Sequence, residues 1–451
     1  MSVYLDYNST TPLADEAVDA MMHAGKFSWQ NPSCSYTAGL KVKSIISLSR
    51  AEVAKLLSVP ENDIIFTSGG TESNFTVFNT FCGSRAKPKP HFVCSAVEHP
   101  SVLLPLKKMR ESGCIDLTVV PINEQTGMVN VDDIVCALRP KQTALVSVMM
   151  ANNETGAIMP VEEVVRRIRL WECEHSAHRV YIHSDMAQAI GKLPIDLSRI
   201  GVDYATIVGH KFYGPRIGCL YVRGLSQSTQ DQRIKGDLLQ NDDPEKAPLV
   251  PLFYGGGQEF GFRAGTENTP MIAGLGKAAA LVNENLSVYI NHMLEMRMFL
   301  EQSLKDGFAA LKQIRVCIFG LDRCAPAKIG HVHGCGEQTS VQSKSSDLCE
   351  RFHRLPNTVN ITFQGPPWID SRQILSFCPM LQASRGAACH SDDESQGGSS
   401  VLQSCGYSAD EAKSAIRLSL GRETTRDDIT KAVDYLLAAV RTLIERDFSG
   451  A

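Results

Sequence analysis

Between residues 64 and 208, short apolar runs alternate with longer segments of helical period. The runs cover 64–67, 92–97, 117–122, 143–150, 180–184 and 205–208; periodic stretches at 101–111, 131–138 and 161–171 separate most of them. Strand, helix, strand in repetition predicts a mainly parallel, doubly wound sheet with helices on both faces. Ligands in such folds gather beyond the carboxyl ends of the strands. Residues distant in sequence therefore meet at one edge.

The flanks read differently. Two helical patterns fall within 12–58. In the second, Ile45, Ile46, Leu48, Val53, Leu56 and Leu57 form an apolar face, and Lys41, Lys43, Arg50, Glu52 and Lys55 form a polar one. A long helical stretch over 271–311 follows a glycine-rich loop at 255–257. Strands at 316–319, 358–363 and 416–420 and a closing helix at 426–446 read as a smaller α+β unit. The expected division is a large α/β domain at 12–262, a linking segment at 263–314, and a small domain built from 1–11 and 315–451. Two polar stretches, 322–350 and 391–400, read as mobile loops.

With 451 residues, 43% hydrophobic and 21% charged, the composition is that of an ordinary globular protein. A net charge of −4 provides no basic footprint, so nucleic acid is not expected as the main partner. No apolar run approaches the ~20 residues of a membrane helix, and no charged-then-apolar leader is visible. A cytosolic location is the expectation. Fourteen cysteines show no secreted-type framework and are expected as reduced, mostly core residues, with at least one available as a reagent.

Five segments at predicted strand ends carry polar chemistry. Thr206 to Pro215 places Lys211 at the mouth of a buried strand. The alternatives are a surface lysine beside a turn and an amine that holds an aldehyde cofactor as a Schiff base. Residues 67–74 (Thr-Ser-Gly-Gly-Thr-Glu-Ser-Asn) read as a helix cap or as a phosphate-binding turn. His99 is a hydrogen-bonded loop residue or a ring that stacks on a flat cofactor and moves protons. Asn152 and Asn153 form an Asx turn or face a ligand. Asp185 is structural, or it holds a pyridinium nitrogen protonated. Near the C-terminus, Cys389 follows Gly386 and two alanines, ahead of the polar stretch; it is a generic buried thiol or a tethered nucleophile that His390 helps to activate.

Together these segments, with Tyr4–Pro12, Arg263–Thr266 and Ile416–Arg422, resemble the fold-type I pyridoxal-phosphate enzymes, in the branch of cysteine desulfurases and selenocysteine lyases. The matching pieces span nearly the whole chain in the family's order. The resemblance implies a seven-stranded large domain and a small domain carrying the cysteine loop. It makes Lys211 the amine that holds pyridoxal 5'-phosphate and Asp185 the partner of the pyridine nitrogen. Gln188 would bond the ring hydroxyl, and His99 would stack on the ring. Asn153 would sit at the substrate and cofactor edge. Gly70, Thr71 and His210 would bind the phosphate, joined by Thr266 from the second subunit of a homodimer. Arg417 would clamp the substrate carboxylate, and Cys389 would accept the chalcogen. Val208 departs from desulfurases, which typically carry a phosphate-bonding serine there.

The details around Val208, residues 262–268, 354–358 and Cys389-His390-Ser391-Asp392 look closer to the lyases. L-selenocysteine is thus the expected substrate, with L-alanine and selenide as products and a selenium-acceptor protein as a further partner. A cysteine desulfurase is the second reading. A catalytically silent scaffold and an aminotransferase on the same fold are the others. No metal is expected: Cys324, His331, His333, Cys335, Cys349 and His353 match no standard finger spacing and read as a polar insertion.

Overall fold

The computed structural model describes residues 2–82, 89–225, 246–321, 353–365, 369–386 and 398–449. A short strand β1 (Val3–Tyr4) is followed by helices α1 (Asp15–Phe27) and α2 (Thr37–Leu57). Alternation then sets in: β2 (Ile64–Thr67), α3 (Gly70–Cys82), β3 (His91–Ser95), α4 (Pro100–Glu111), β4 (Asp116–Val120), α5 (Val131–Ala137), β5 (Thr143–Ser147), α6 (Val161–Glu174), β6 (Tyr181–Asp185), α7 (Leu197–Ile200), β7 (Tyr204–Val208) and β8 (Gly218–Val222). The seven strands lie in the order β2-β8-β7-β6-β5-β3-β4.

Only β8 runs antiparallel to its neighbours, pairing with β2 on one side and β7 on the other. Residues 218–222 were absent from the strand pattern read in the sequence. The physical reason is that β8 follows β7 through the turn 209–217 with no helix between them, so strand–helix alternation gives no cue. Because β8 reverses, β2 points the same way as β7. The carboxyl ends of β2, β3, β5, β6 and β7 therefore share one edge of the sheet.

Helix α6 shows why the alternation succeeds elsewhere. Val161, Val164, Val165, Ile168 and Trp171 are buried and fall on one face, with Glu162 and Glu163 in the first turn, where they suit the helix dipole. Helix α2 obeys the pattern less well. Leu48, read as apolar face, is 66% exposed, and Arg50, read as polar face, is buried. Arg50 can be buried because both of its terminal nitrogens are partnered. Its two terminal nitrogens donate to the Glu259 carboxylate at 2.8 and 2.7 Å and to the Ile64 carbonyl at 2.6 Å. The guanidinium also lies over the rings of Phe66 and Phe260.

The long helix Thr269–Phe308 begins where the Asn268 side chain accepts from the Met271 N–H, with a proline in its first turn. Its first half, through Ile272, Leu275 and Val282, packs into the apolar cluster that covers one face of the large sheet. Its second half, through Met296, Leu300, Leu304 and Phe308, completes another cluster. That second cluster is built by Val3 and Leu5, by the antiparallel strands β9 (Arg315–Ile318), β10 (Thr358–Gln364) and β12 (Ile416–Ser419), and by the closing helix Arg426–Ser449. Strand β1 pairs in parallel with β11 (Leu381–Gln382), so the first residues of the chain are stitched to its last quarter. Val401, Leu402, Cys405, Tyr407 and Ala412, by contrast, pack into the cluster of the large sheet. Five of the ten cysteines among the described residues are buried, and Cys136 and Cys173 are exposed.

Gly218 opens β8 beside the loop that precedes α3. A Cβ at this position would lie 2.8 Å from the Gly69 main chain, closer than real contacts allow. Gly218→Ala is expected to destabilise the protein by about 1–3 kcal/mol as the loop is pushed away, read as a lower midpoint in urea denaturation.

Candidate active site

Nine of the eleven expected site residues line one cavity of about 290 Å³: Gly70, Thr71, His99, Asn153, Asp185, Gln188, His210, Lys211 and Arg417. The first eight come from the shared carboxyl edge of the sheet. Arg417, on β12, approaches from the other side, as do Asn8 and Ser9 of the N-terminal segment. Met149, Ala151 and Val208 supply apolar wall.

Lys211 follows β7 in a short 3-10 turn. Its Nζ donates to the main-chain carbonyls of Asn8 and Ser9, both at 2.7 Å. These acceptors are neutral, so the amine is oriented without a carboxylate counter-ion in that contact. His210, beside it, bonds Thr10 Oγ1 through Nδ1 at 3.1 Å. Burial, then the charges of Lys211 and Arg216, push its pKa down to about 4, so the ring is neutral at physiological pH.

Asp185 ends β6 and is buried. Its Oδ1 accepts from the Ala187 N–H at 3.0 Å and its Oδ2 from Asn74 Nδ2 at 3.0 Å. Asn74 also reaches Ser101 Oγ at 3.0 Å, and Ser101 Oγ meets His99 Nδ1 at 2.7 Å. A hydrogen-bonded chain thus links His99 to Asp185 through two residues given no role from the sequence. Because the Ser101 N–H donates to His99 Nδ1 at 3.1 Å, the neutral ring carries its proton on Nε2.

The strand-end asparagines divide their tasks. Asn152 Oδ1 accepts from the N–H groups of Glu154 and Thr155, an Asx turn, while Asn153 lines the cavity. At the start of α3, the Glu72 carboxylate folds back onto the Ser68 N–H at 2.8 Å and pairs with Arg263 at 3.0 Å. Gly70 at the head of that helix lies against Val208, whose Cγ2 would sit 2.7 Å from any added Cβ.

Arg417 is buried, with Nη2 on Asp6 Oδ1 at 2.6 Å and Nη1 on the Asn153 carbonyl at 3.0 Å; its Nε has no hydrogen-bond partner among the described residues. Thr266 lies apart from Lys211, in a second cavity with Ser68, Arg216 and Arg263. Cys389 lies outside the described residues. So do the stretches 322–350 and 391–397, and with them Cys324, His331, His333, Cys335 and Cys349.

The donor set fits pyridoxal phosphate. An amine, a carboxylate held by two donors, an imidazole fixed at Nδ1 and a helix N-terminus all border a cavity of suitable size.

The model of the family described as aminotransferase class-V matches residues 3–329, more than half of the chain. This chain belongs to that family, whose members use pyridoxal phosphate. Within it, the chain is 43% identical to the selenocysteine lyase of Rattus norvegicus, covering 98% of this chain and 95% of the relative. It is 32% identical to the cysteine desulfurase IscS of Methanosarcina thermophila, covering 98% and 93%. Among solved structures, a NifS-like protein superposes with a TM-score of 0.76 at 27% identity, covering 98% of this chain and all of that one. The fold-type I architecture expected from the sequence is the one observed.

Beneath the cavity, Glu98 ties β3 to the end of β5. Its Oε1 accepts from Ser95 Oγ at 2.6 Å and from the Met149 N–H at 2.8 Å, while Oε2 has no partner among the described residues. Burial, with the Asp185 charge acting the same way, raises its pKa to about 8. A carboxyl raised on folding favours the folded state at low pH and loses that contribution as pH rises toward 8. His210 and His183, both lowered to about 4 with burial as the main cause, titrate alike in the wild type and in Glu98→Gln and so cancel in the comparison of the two. Between pH 6.5 and 8 the melting temperature of the wild type should therefore fall relative to that of Glu98→Gln; parallel curves would contradict the assignment.

Proposed function

We propose that this protein is a pyridoxal-phosphate-dependent selenocysteine lyase, converting L-selenocysteine and a reductant to L-alanine and selenide. The observation that carries the reading is the 43% identity to a selenocysteine lyase over almost the full length of both chains, against 32% to a desulfurase. The cavity supplies the groups such a reaction uses.

Bound cofactor provides the electron sink for the substrate α-carbon. Lys211 would be the amine that holds the cofactor aldehyde and, once free, the base that takes the substrate α-proton. Asp185, its carboxylate fixed by Asn74 and the Ala187 N–H, would pair with the pyridine nitrogen and keep it protonated. His99 would stack on the ring, and Gln188 would bond the ring oxygen. The N-terminus of α3 at Gly70 and Thr71 would receive the phosphate together with His210. Asn153 borders the substrate, whose carboxylate goes to Arg417. The Cys389 thiolate bonds selenium as the carbon–selenium bond breaks, Cβ gains a proton, and the reductant then discharges selenide.

A homodimer completes the site in this reading, with Thr266 of one subunit reaching the phosphate of the other. Its support is a set of exposed apolar side chains: Met22 and Phe27 on α1, Leu40 and Leu48 on α2, and Phe260, with Trp29 and Tyr254 more than 70% exposed. Burial of such side chains is what a stable dimer supplies. Sedimentation should give a dimer for the wild type and a monomer for Trp29→Glu with Tyr254→Glu; a monomeric wild type would remove Thr266 from the site.

Alanine release measured on both amino acids tests the activity. Turnover on selenocysteine should far exceed that on cysteine, and equal rates would make the protein a desulfurase. Lys211→Ala should lose about 10²–10⁴-fold in rate and hold no chromophore after borohydride reduction. Cys389→Ala should keep the chromophore and lose selenide release.

A further inference from the structure

Lys192 is a buried lysine that the reaction as described does not use. It lies one turn beyond Gln188, and its Nζ donates to Gln188 Oε1 at 2.7 Å and to Asn8 Oδ1 at 3.2 Å. Among the described residues no carboxylate lies within ion-pair reach of it. The charged groups that act on it are Lys211, at the end of β7, and Arg417, on β12, whose own partner is Asp6. Burial first, then those two cations, push its pKa well below the ordinary lysine value. A buried amine that faces only amide oxygens is a costly way to fill core space.

Those two oxygens belong to residues that hold the site together. Gln188 Nε2 donates to the Asn8 carbonyl at 2.9 Å, the same carbonyl that receives Lys211 Nζ. The Asn8 side chain is held as well: Nδ2 donates to Thr358 Oγ1 and to the Asn153 carbonyl, and Oδ1 also accepts from Asn357. The Gln188 amide is thus fixed at both ends, its oxygen by Lys192 and its nitrogen by Asn8. That arrangement leaves the second N–H of Nε2 as the group available to an acceptor in the cavity.

We propose that Lys192 is a positioning residue, which fixes the Gln188 amide so that a hydrogen-bond donor, and not an acceptor, meets the ring oxygen of the bound cofactor. The inference rests on the cofactor assignment made above for this cavity. Its consequence is electrostatic. A donor at that oxygen stabilises its anionic form and lowers the pH at which the bound chromophore gives up its proton. Without Lys192, Gln188 Oε1 would be a buried acceptor with no partner, and the amide would turn or shift to satisfy it.

The test is the pH midpoint of the absorbance change of the loaded dimer, in a cycle of Lys192→Met, Gln188→Ala and the double variant. Lys192→Met should raise the midpoint by roughly one pH unit, the scale of one lost hydrogen bond to a charged group. In the Gln188→Ala background the same change should move it little, because the lysine acts through the glutamine. An equal shift in both backgrounds would mean that the lysine charge acts directly, and no shift in either would mean that it positions nothing; both outcomes overturn the proposal. Lys192→Gln, which keeps an N–H toward Gln188, should give a smaller shift and carries the same cycle should the methionine variant fail to fold. A wild type that forms no Lys211-dependent chromophore would instead sink the cofactor assignment itself.

Discussion

Two main-chain carbonyls, those of Asn8 and Ser9, hold the amine of Lys211, and they precede the turn that carries it by 203 and 202 residues. Main-chain acceptors cannot rotate away as side chains can, so the amine is located by the path of the backbone. That path is itself secured. β1 pairs with β11, Asn8 N–H donates to Ser419 Oγ at 2.9 Å, and Leu5 is buried in the cluster of β9, β10 and β12. The reactive edge of the large sheet therefore depends on the smaller sheet having formed.

The same dependence explains the charge pattern of the cavity. Arg417 is delivered by β12 and held by Asp6, so its guanidinium is partnered before a substrate arrives. In the role proposed for Arg417, a substrate carboxylate would meet a fork already oriented by a carboxylate and a carbonyl, which would limit the reorganisation that binding requires. His210 and His183 are kept neutral by burial, and Asp185 is fixed by donors on both oxygens. Polar groups that flank the amine are neutral or committed to partners.

Much of this was legible in the sequence because motifs at strand ends are local. The runs at 64–67 and 205–208 and the turns after them predicted where Gly70 and Lys211 would meet. What escaped depends on contacts between distant residues. Asn74 reaches Asp185 across 111 positions, Lys192 reaches Asn8 across 184, and no local pattern marks either pair. Arg50 looked like surface because its partner, Glu259, is 209 residues away. β8 escaped for another reason: alternation predicts strands that need a crossover helix, and an antiparallel strand needs none.

The long helix Thr269–Phe308 belongs to two apolar clusters at once, and this fixes more than its position. Each added residue turns an α-helix through about 100°. One residue inserted between Val282 and Met296 would leave both halves helical, yet it would swing Leu300, Leu304 and Phe308 away from the strands they cover. The length of this helix is accordingly set by angular phase rather than by the distance it spans, and tolerance of added residues must be sought in loops.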